Sequence, residues 1–201
     1  MGTGPTCPLS PFRSGAAPNP VTPMRFHVSP AEIKQANIPH EIFLTNLIAN
    51  HILLTVGLGG LAGSFPWVMA LPPLISLSLL SYTLWRARRS LRRDTWYPMC
   101  HWQVCARRSR FFIGMLLLLL LVAFLGWMGY SQLGWRKEAV WAIVVGMGIL
   151  PVMVTVLVLI LFESEALYHA NQAKLPGWVV ERHPPPPGMT PIEEVKPHYY
   201  D

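Results

Sequence analysis

The sequence predicts an all-α integral membrane protein: four transmembrane helices in an antiparallel bundle, with disordered, proline-rich termini on the cytoplasmic side. Three observations carry that fold class. Hydrophobic residues make up 52% of the 201 residues and charged residues only 13%, too apolar a balance for an ordinary soluble domain. Four uncharged runs reach the roughly 20 residues that a helix needs to cross the hydrocarbon core. Positive charge is concentrated between two of those runs instead of being spread along the chain.

Residues 1–28 open MGTGPTCPLSPFRSGAAPNP. They contain no apolar run for a secretory signal and too many prolines for the amphipathic helix of a transit peptide, so a disordered segment is expected. Gly2 and Thr6, with Cys7 beside them, fit a myristoylation pattern, but Pro5 interrupts it, and Met24 could equally be the biological start. Ser29, Pro30 and Glu32 then form a capping-box pattern with proline at the first helical position. This predicts a short cytoplasmic surface helix over residues 29–41, with Pro39 restarting the chain into the membrane.

The transmembrane domain is expected over residues 42–162, with spans at 42–62, 66–85, 111–130 and 139–162. Pro72 with Pro73, and Pro151, should kink the second and fourth spans, a defect that neighbouring helices can tolerate. The loop at 86–110 sets the orientation. It holds Arg86, Arg88, Arg89, Arg92, Arg93, Arg107, Arg108 and Arg110 against one acid, Asp94, so its net charge exceeds the +6 of the whole chain. The positive-inside rule therefore places this loop and both termini in the cytoplasm of a bacterial inner membrane. Aromatic anchors agree: Trp67, Trp127, Tyr130 and Trp135 fall at outer span ends, Tyr82 and Trp85 at an inner one. Residues 163–201 read as a cytoplasmic helical extension, FESEALYHANQAK, followed by a proline-rich tail from His183.

Within the spans, chemistry concentrates in the stretch TNLIANHILL, Thr45 to Leu54. At ~100° per residue, Asn46, Ala49, Asn50, Leu53, Gly57 and Gly60 form one stripe, and His51, Thr55 and Leu58 lie on another side. Amides in hydrocarbon must find partners, and small residues let a second backbone approach, so Asn46 and Asn50 read as interhelical glue in preference to a ligand or ion pathway. His51 sits near mid-membrane, where a titratable group is a functional candidate. Haem ligation by a histidine pair would need a second histidine at similar depth, and spans two, three and four carry none. A neutral, hydrogen-bonded structural histidine is the expectation.

CHWQVC, Cys100 to Cys105, matches no zinc or haem-attachment pattern; two ligands do not make a site, and no metal or cofactor is expected. Cys7, Cys100 and Cys105 are read as reduced thiols. Trp96, Tyr97, Met99 and Trp102 suggest a short amphipathic segment lying in the interface, with the eight arginines meeting anionic headgroups or a partner. Nucleic acid is not expected, because lipid phosphate is the nearer polyanion. Glu163, Glu165, Tyr168 and His169 leave the fourth span near the arginine loop, where cross-pairing is plausible. No Ser/His/Asp, Walker, Rossmann or paired-carboxylate pattern is present, so no catalytic residue is assigned and the chain is not read as an enzyme. The function expected is a non-catalytic membrane subunit, or an assembly or scaffold factor, with a membrane-protein partner or as a homo-oligomer. An oligomeric transporter or channel, and a haem or quinone subunit using His51, are the alternatives.

Overall fold

The structure, a computed structural model, describes residues 23–61 and 63–192. It is mostly helical, with four helices long and apolar enough to cross a membrane: α1 at Pro30–Gly59, α2 at Trp67–Arg93, α3 at Trp96–Leu133 and α4 at Lys137–Asn171. A two-stranded antiparallel sheet pairs β1, Pro23–Arg25, with β2, Lys174–Pro176, and a short helix α5 follows at Gly177–Arg182. The helices present an apolar belt outward, including Leu120, Phe124, Trp127, Leu157 and Leu161. A folded surface this rich in large apolar side chains is suited to lipid and not to water.

α1 begins as the capping box requires. The Ser29 hydroxyl accepts from the Glu32 amide at 3.3 Å, and the Glu32 carboxylate accepts from the Ser29 amide at 3.0 Å. The helix does not stop at Pro39. It continues through that residue into the first span, and Ala36, Pro39, His40 and Phe43 form a packed face while Ala31, Lys34, Gln35 and Glu41 stay exposed. Burial against α3 and α4 outweighs the single backbone hydrogen bond that Pro39 removes.

From Asn46 to Leu54, α1 widens into a π-helix, and α4 does the same at Val144–Ile149, immediately before Pro151. In α2, Pro72 and Pro73 are not mid-helix: a 3-10 turn at Pro66–Ala70 precedes them, and they occupy the first turn of the α-helical part, where a missing N–H costs little. The residues 86–110 are also not an open loop. α2 runs to Arg93 and α3 starts at Trp96, leaving Asp94 and Thr95 as the connection. Tyr97 and Trp102 are accordingly buried in the packing of α3 instead of lining an exposed amphipathic face.

The end of the molecule that holds this connection, here called the polar end, carries a core of its own. Phe26, Ala36, Tyr97, Cys100, Val104, Ala170, Leu175 and Val179 are buried together there. Residues 23–28, expected to be disordered, contribute to it: Met24 pairs with Leu175, the Phe26 amide donates to the Ala173 carbonyl at 2.9 Å, and the Phe26 ring packs edge-on against Trp96. Ala173, at φ 59, makes the left-handed turn that takes the chain from α4 into β2. Further along, the Ile192 amide donates to the Arg25 carbonyl. Residues 1–22 and 193–201, with the Gly2–Cys7 pattern and most of the expected tail, lie outside the described residues.

Candidate functional site

Two polar clusters are built into the helix packing. The first lies where α1 meets α2. The π-helical turn of α1 carries i→i+5 hydrogen bonds, so residues five apart face the same way. Asn46 and His51, which a regular helix would set ~140° apart at ~100° per residue, both reach the hydroxyl of Ser76. Asn46 Nδ2 donates to Ser76 Oγ at 3.1 Å, and His51 Nε2 lies 2.8 Å from the same oxygen. A hydroxyl has one proton and two lone pairs, so Ser76 can accept from Asn46 while donating to an unprotonated His51 Nε2. That arrangement fits a neutral imidazole and uses the hydroxyl proton and one of its lone pairs.

Asn50 completes the cluster. Its side-chain nitrogen donates to Asn46 Oδ1 at 3.1 Å and to the Pro72 carbonyl at 2.8 Å, and its backbone carbonyl accepts from Thr55 Oγ1 at 3.2 Å. The His51 ring packs edge-on against Phe112 of α3 at 5.0 Å. The structure thus brings all three sequence-predicted residues, Asn46, Asn50 and His51, into one network, with Ser76 as the shared partner. It does not extend their stripe along the helix. Leu53 is 64% exposed, and a Cβ added at Gly57 would meet nothing within 4 Å. Close approach between helices occurs instead at Gly126 and Gly148, where an added Cβ would meet Val140 at 3.1 Å and Leu119 at 2.8 Å.

The second cluster, at the polar end, joins three helices. His40 of α1, His101 of α3 and Glu163 of α4 are all buried, two of them with 0% exposure and His101 with 1%. The imidazole N–H at His40 Nδ1 donates to Glu163 Oε2 at 2.5 Å, and His40 Nε2 lies 2.9 Å from His101 Nδ1. Arg108 closes the group, with Nη1 at 3.2 Å from Glu163 Oε1 while donating to the Phe162 carbonyl at 2.9 Å. A buried carboxylate is tolerable only with such partners, because desolvating it alone costs several kcal/mol. Tyr97 donates to the Ala170 carbonyl at 2.9 Å and sets its ring edge against His101, and the Cys105 thiol donates to the Pro39 carbonyl.

The hydrogen-bond chain couples the protonation of its members. With His40 neutral, its Nε2 accepts from His101 Nδ1–H, and His101 Nε2 presents a lone pair. With His40 protonated, it donates in both directions, and His101 must carry its proton on Nε2. His101 Nε2 is buried and has no hydrogen-bond partner in the protein. Among the described residues, no group of three or more His, Cys, Asp or Glu side chains is arranged to hold a metal ion.

The eight arginines divide. Arg86 is tied to Asp94 at 2.8 Å and stacks on Trp102, and Arg108 serves Glu163, so these two belong to the protein interior and its edge. Arg107 lies over the Trp178 ring and Arg89 over Trp85. Arg88, Arg92, Arg93 and Arg110 are exposed. The expected pairing of the fourth-span acids with the arginine segment occurs once, as Glu163 with Arg108, whereas Glu165 pairs with His169 four residues on. His40 was not singled out from sequence, and neither was its meeting with His101 and Glu163. The available signal was depth: His40, Arg108 and Glu163 stand within a few residues of a span boundary on the same side, with His101 further along the arginine segment.

Four apolar helices joined by buried polar contacts define the class: a multi-pass membrane protein. No protein-family model matches the chain, and neither curated proteins nor solved structures give a match.

Proposed function

We propose that the chain is a non-catalytic multi-pass protein of a bacterial inner membrane, acting as a small subunit or an assembly or scaffold factor of a larger membrane complex. The observation that carries this reading is the use to which the mid-span polar groups are put. Asn46, Asn50 and His51 bond to each other through Ser76 and to the Pro72 carbonyl, so they serve helix packing. The packed sheet and helix at the polar end supply a rigid docking element beside the exposed Arg88, Arg92, Arg93 and Arg110. In this reading the four helices form an antiparallel bundle with both termini cytoplasmic, and those arginines meet anionic headgroups or a partner protein. The protein, purified in mild detergent, should bring stoichiometric partner chains identifiable by mass spectrometry and show no Soret absorption. A Soret band would replace this reading with the redox one, and a homogeneous oligomer without partners would replace it with transport.

A second reading has its own observation. The buried line from Glu163 through His40 to His101 connects titratable groups at a span boundary, the kind of arrangement by which an oligomeric transporter moves protons. Proton flux into proteoliposomes, abolished by Glu163→Gln with the fold intact, would establish it.

A further inference from the structure

We propose that the cleft between α3 and α4 at the polar end binds a single anionic phospholipid. Its phosphate is held by Arg107 and Arg108, and its acyl chains run along Phe111, Val158 and Phe162. This goes beyond a general attraction of arginines to headgroups, because it assigns one lipid to one built site.

The cleft has a volume of about 1000 Å³, at the upper end of the ~300–1000 Å³ typical of small-molecule sites. Two helix faces form its walls. On α3, His101, Val104, Arg108 and Phe111 recur at helical spacing; on α4, Val158, Phe162, Glu165 and His169 do the same. Each stripe covers about 15 Å at ~1.5 Å per residue. Both are charged or polar toward the polar end and apolar toward the spans. The gradient therefore runs along the helices, in the direction a bilayer lipid would lie.

Polar capacity at the mouth is unspent. Arg107 sits 4.6 Å from the Trp178 ring centroid, has no ion-pair partner among the described residues, and keeps its guanidinium donors for a ligand. Arg108 uses one nitrogen on Phe162 and Glu163, leaving the rest of its donor set. His169 pairs with Glu165 at 3.5 Å through Nε2, while its Nδ1 is buried without a partner. His101 Nε2, on the same cleft, is likewise buried and unpartnered. Glu163 is held against Arg108 and Glu165 lies against His169, so no carboxylate among the described residues pairs with Arg107, and its guanidinium is the group at the mouth with donors to offer an anion. The apolar floor is continuous with the lipid-facing belt through Phe111 and Phe162, which a soluble phosphate would not use.

The inference rests on the chain lying in a bilayer and not on its having a partner. Phosphatidylglycerol bound by a chain that brings no subunits would uphold it while removing the subunit role. The test is native mass spectrometry of the full-length protein in mild detergent, titrated with phosphatidylglycerol, phosphatidylcholine or inorganic phosphate. One phosphatidylglycerol should be retained per chain, with phosphatidylcholine bound at least tenfold more weakly and inorganic phosphate unable to displace the lipid. Arg107→Gln should weaken retention roughly tenfold, the loss of one charge-assisted hydrogen bond, while Arg136→Gln, exposed beyond the other end of α3, should not. Val158→Trp fills the floor and should also reduce retention, with the thermal transition of the protein unchanged. Equal binding of both lipids, equal effects of Arg107→Gln and Arg136→Gln, displacement by phosphate alone, or full retention by Val158→Trp would each overturn the assignment.

Discussion

Asn46 and His51, five residues apart on α1, converge on one oxygen, Ser76 Oγ, at 3.1 and 2.8 Å. The convergence exists because the helix is π-wound there, and it converts two separate faces of a regular helix into one. His51 Nε2 is engaged by a neighbouring hydroxyl, which supports the structural role proposed for it. His51→Gln, which keeps polarity and cannot titrate, should leave assembly and host phenotype largely intact. His51→Leu strands Ser76 and should cost about 1–3 kcal/mol in detergent unfolding. Loss of function in the glutamine variant at normal protein level would reject the structural assignment.

The two asparagines give a larger effect. Replacing Asn46 and Asn50 together by leucine removes the donors to Ser76 and to the Pro72 carbonyl. With interhelical polar contacts averaging about 0.6 and reaching about 1.7 kcal/mol each, the double variant should lose roughly 1–3 kcal/mol of helix association. An unchanged thermal transition and unchanged co-purification would show that this face is not glue.

The four spans, the capping box and the apolar belt were legible in the sequence because each is a local pattern: a run length, a spacing or a composition. The sharing of Ser76 was not, since residues 46 and 51 meet only after the backbone departs from ~100° per residue. His40, His101 and Glu163 are separated by 61 and 62 positions along the chain, and no spacing rule links them. Pro39 departs from expectation for a related reason: it reads as a break between two helices, but tertiary burial carries the helix through it, while Pro72 follows a 3-10 turn and Pro151 a π-turn. The Arg-rich segment looked like a loop because charge was weighed above helical continuity, although its buried residues Ala87, Ser90, Tyr97 and Cys100 mark packed faces.

Glycine substitutions separate true close contacts from small residues that merely recur. An added Cβ at Gly148 would come within 2.8 Å of Leu119, so Gly148→Ala should destabilise by about 1–3 kcal/mol through overpacking. Gly57→Ala meets nothing within 4 Å and should be neutral or stabilising by up to ~1 kcal/mol from helix propensity. A cost at Gly57 equal to that at Gly148, read from thermal unfolding of the monomer, would mean that α1 carries a contact the chain alone does not supply.

Orientation is tested by reporter fusions. Fusions after residues 95 and 175 should both report cytoplasm, and one near residue 134 should report the opposite side, as charge asymmetry requires. An external location for residue 95 would place the exposed arginines and the α3–α4 cleft on the wrong face, reversing the proposed arrangement.

The buried cluster offers the sharpest stability test, because its members depend on one another. Glu163 accepts from His40 and faces Arg108, so Glu163→Leu leaves a buried imidazole without its acceptor and a half-buried guanidinium without its counter-charge. Breaking a buried pair in this way should cost about 3–5 kcal/mol. Glu163→Gln retains an amide oxygen for His40 Nδ1–H and gives up only the charge assistance, so its loss should be smaller, about 1.5–3 kcal/mol. Replacing both partners, His40→Leu with Glu163→Leu, removes the stranded donor as well, and the double variant should recover part of the single-variant loss because an apolar pair of similar volume can pack where an ion pair stood. Circular dichroism through denaturation in detergent reads these three variants and His40→Leu alone, which completes the cycle. Strictly additive losses would show that His40 and Glu163 do not stabilise each other, and the hydrogen-bonded line across the three helices would then contribute nothing to holding them together.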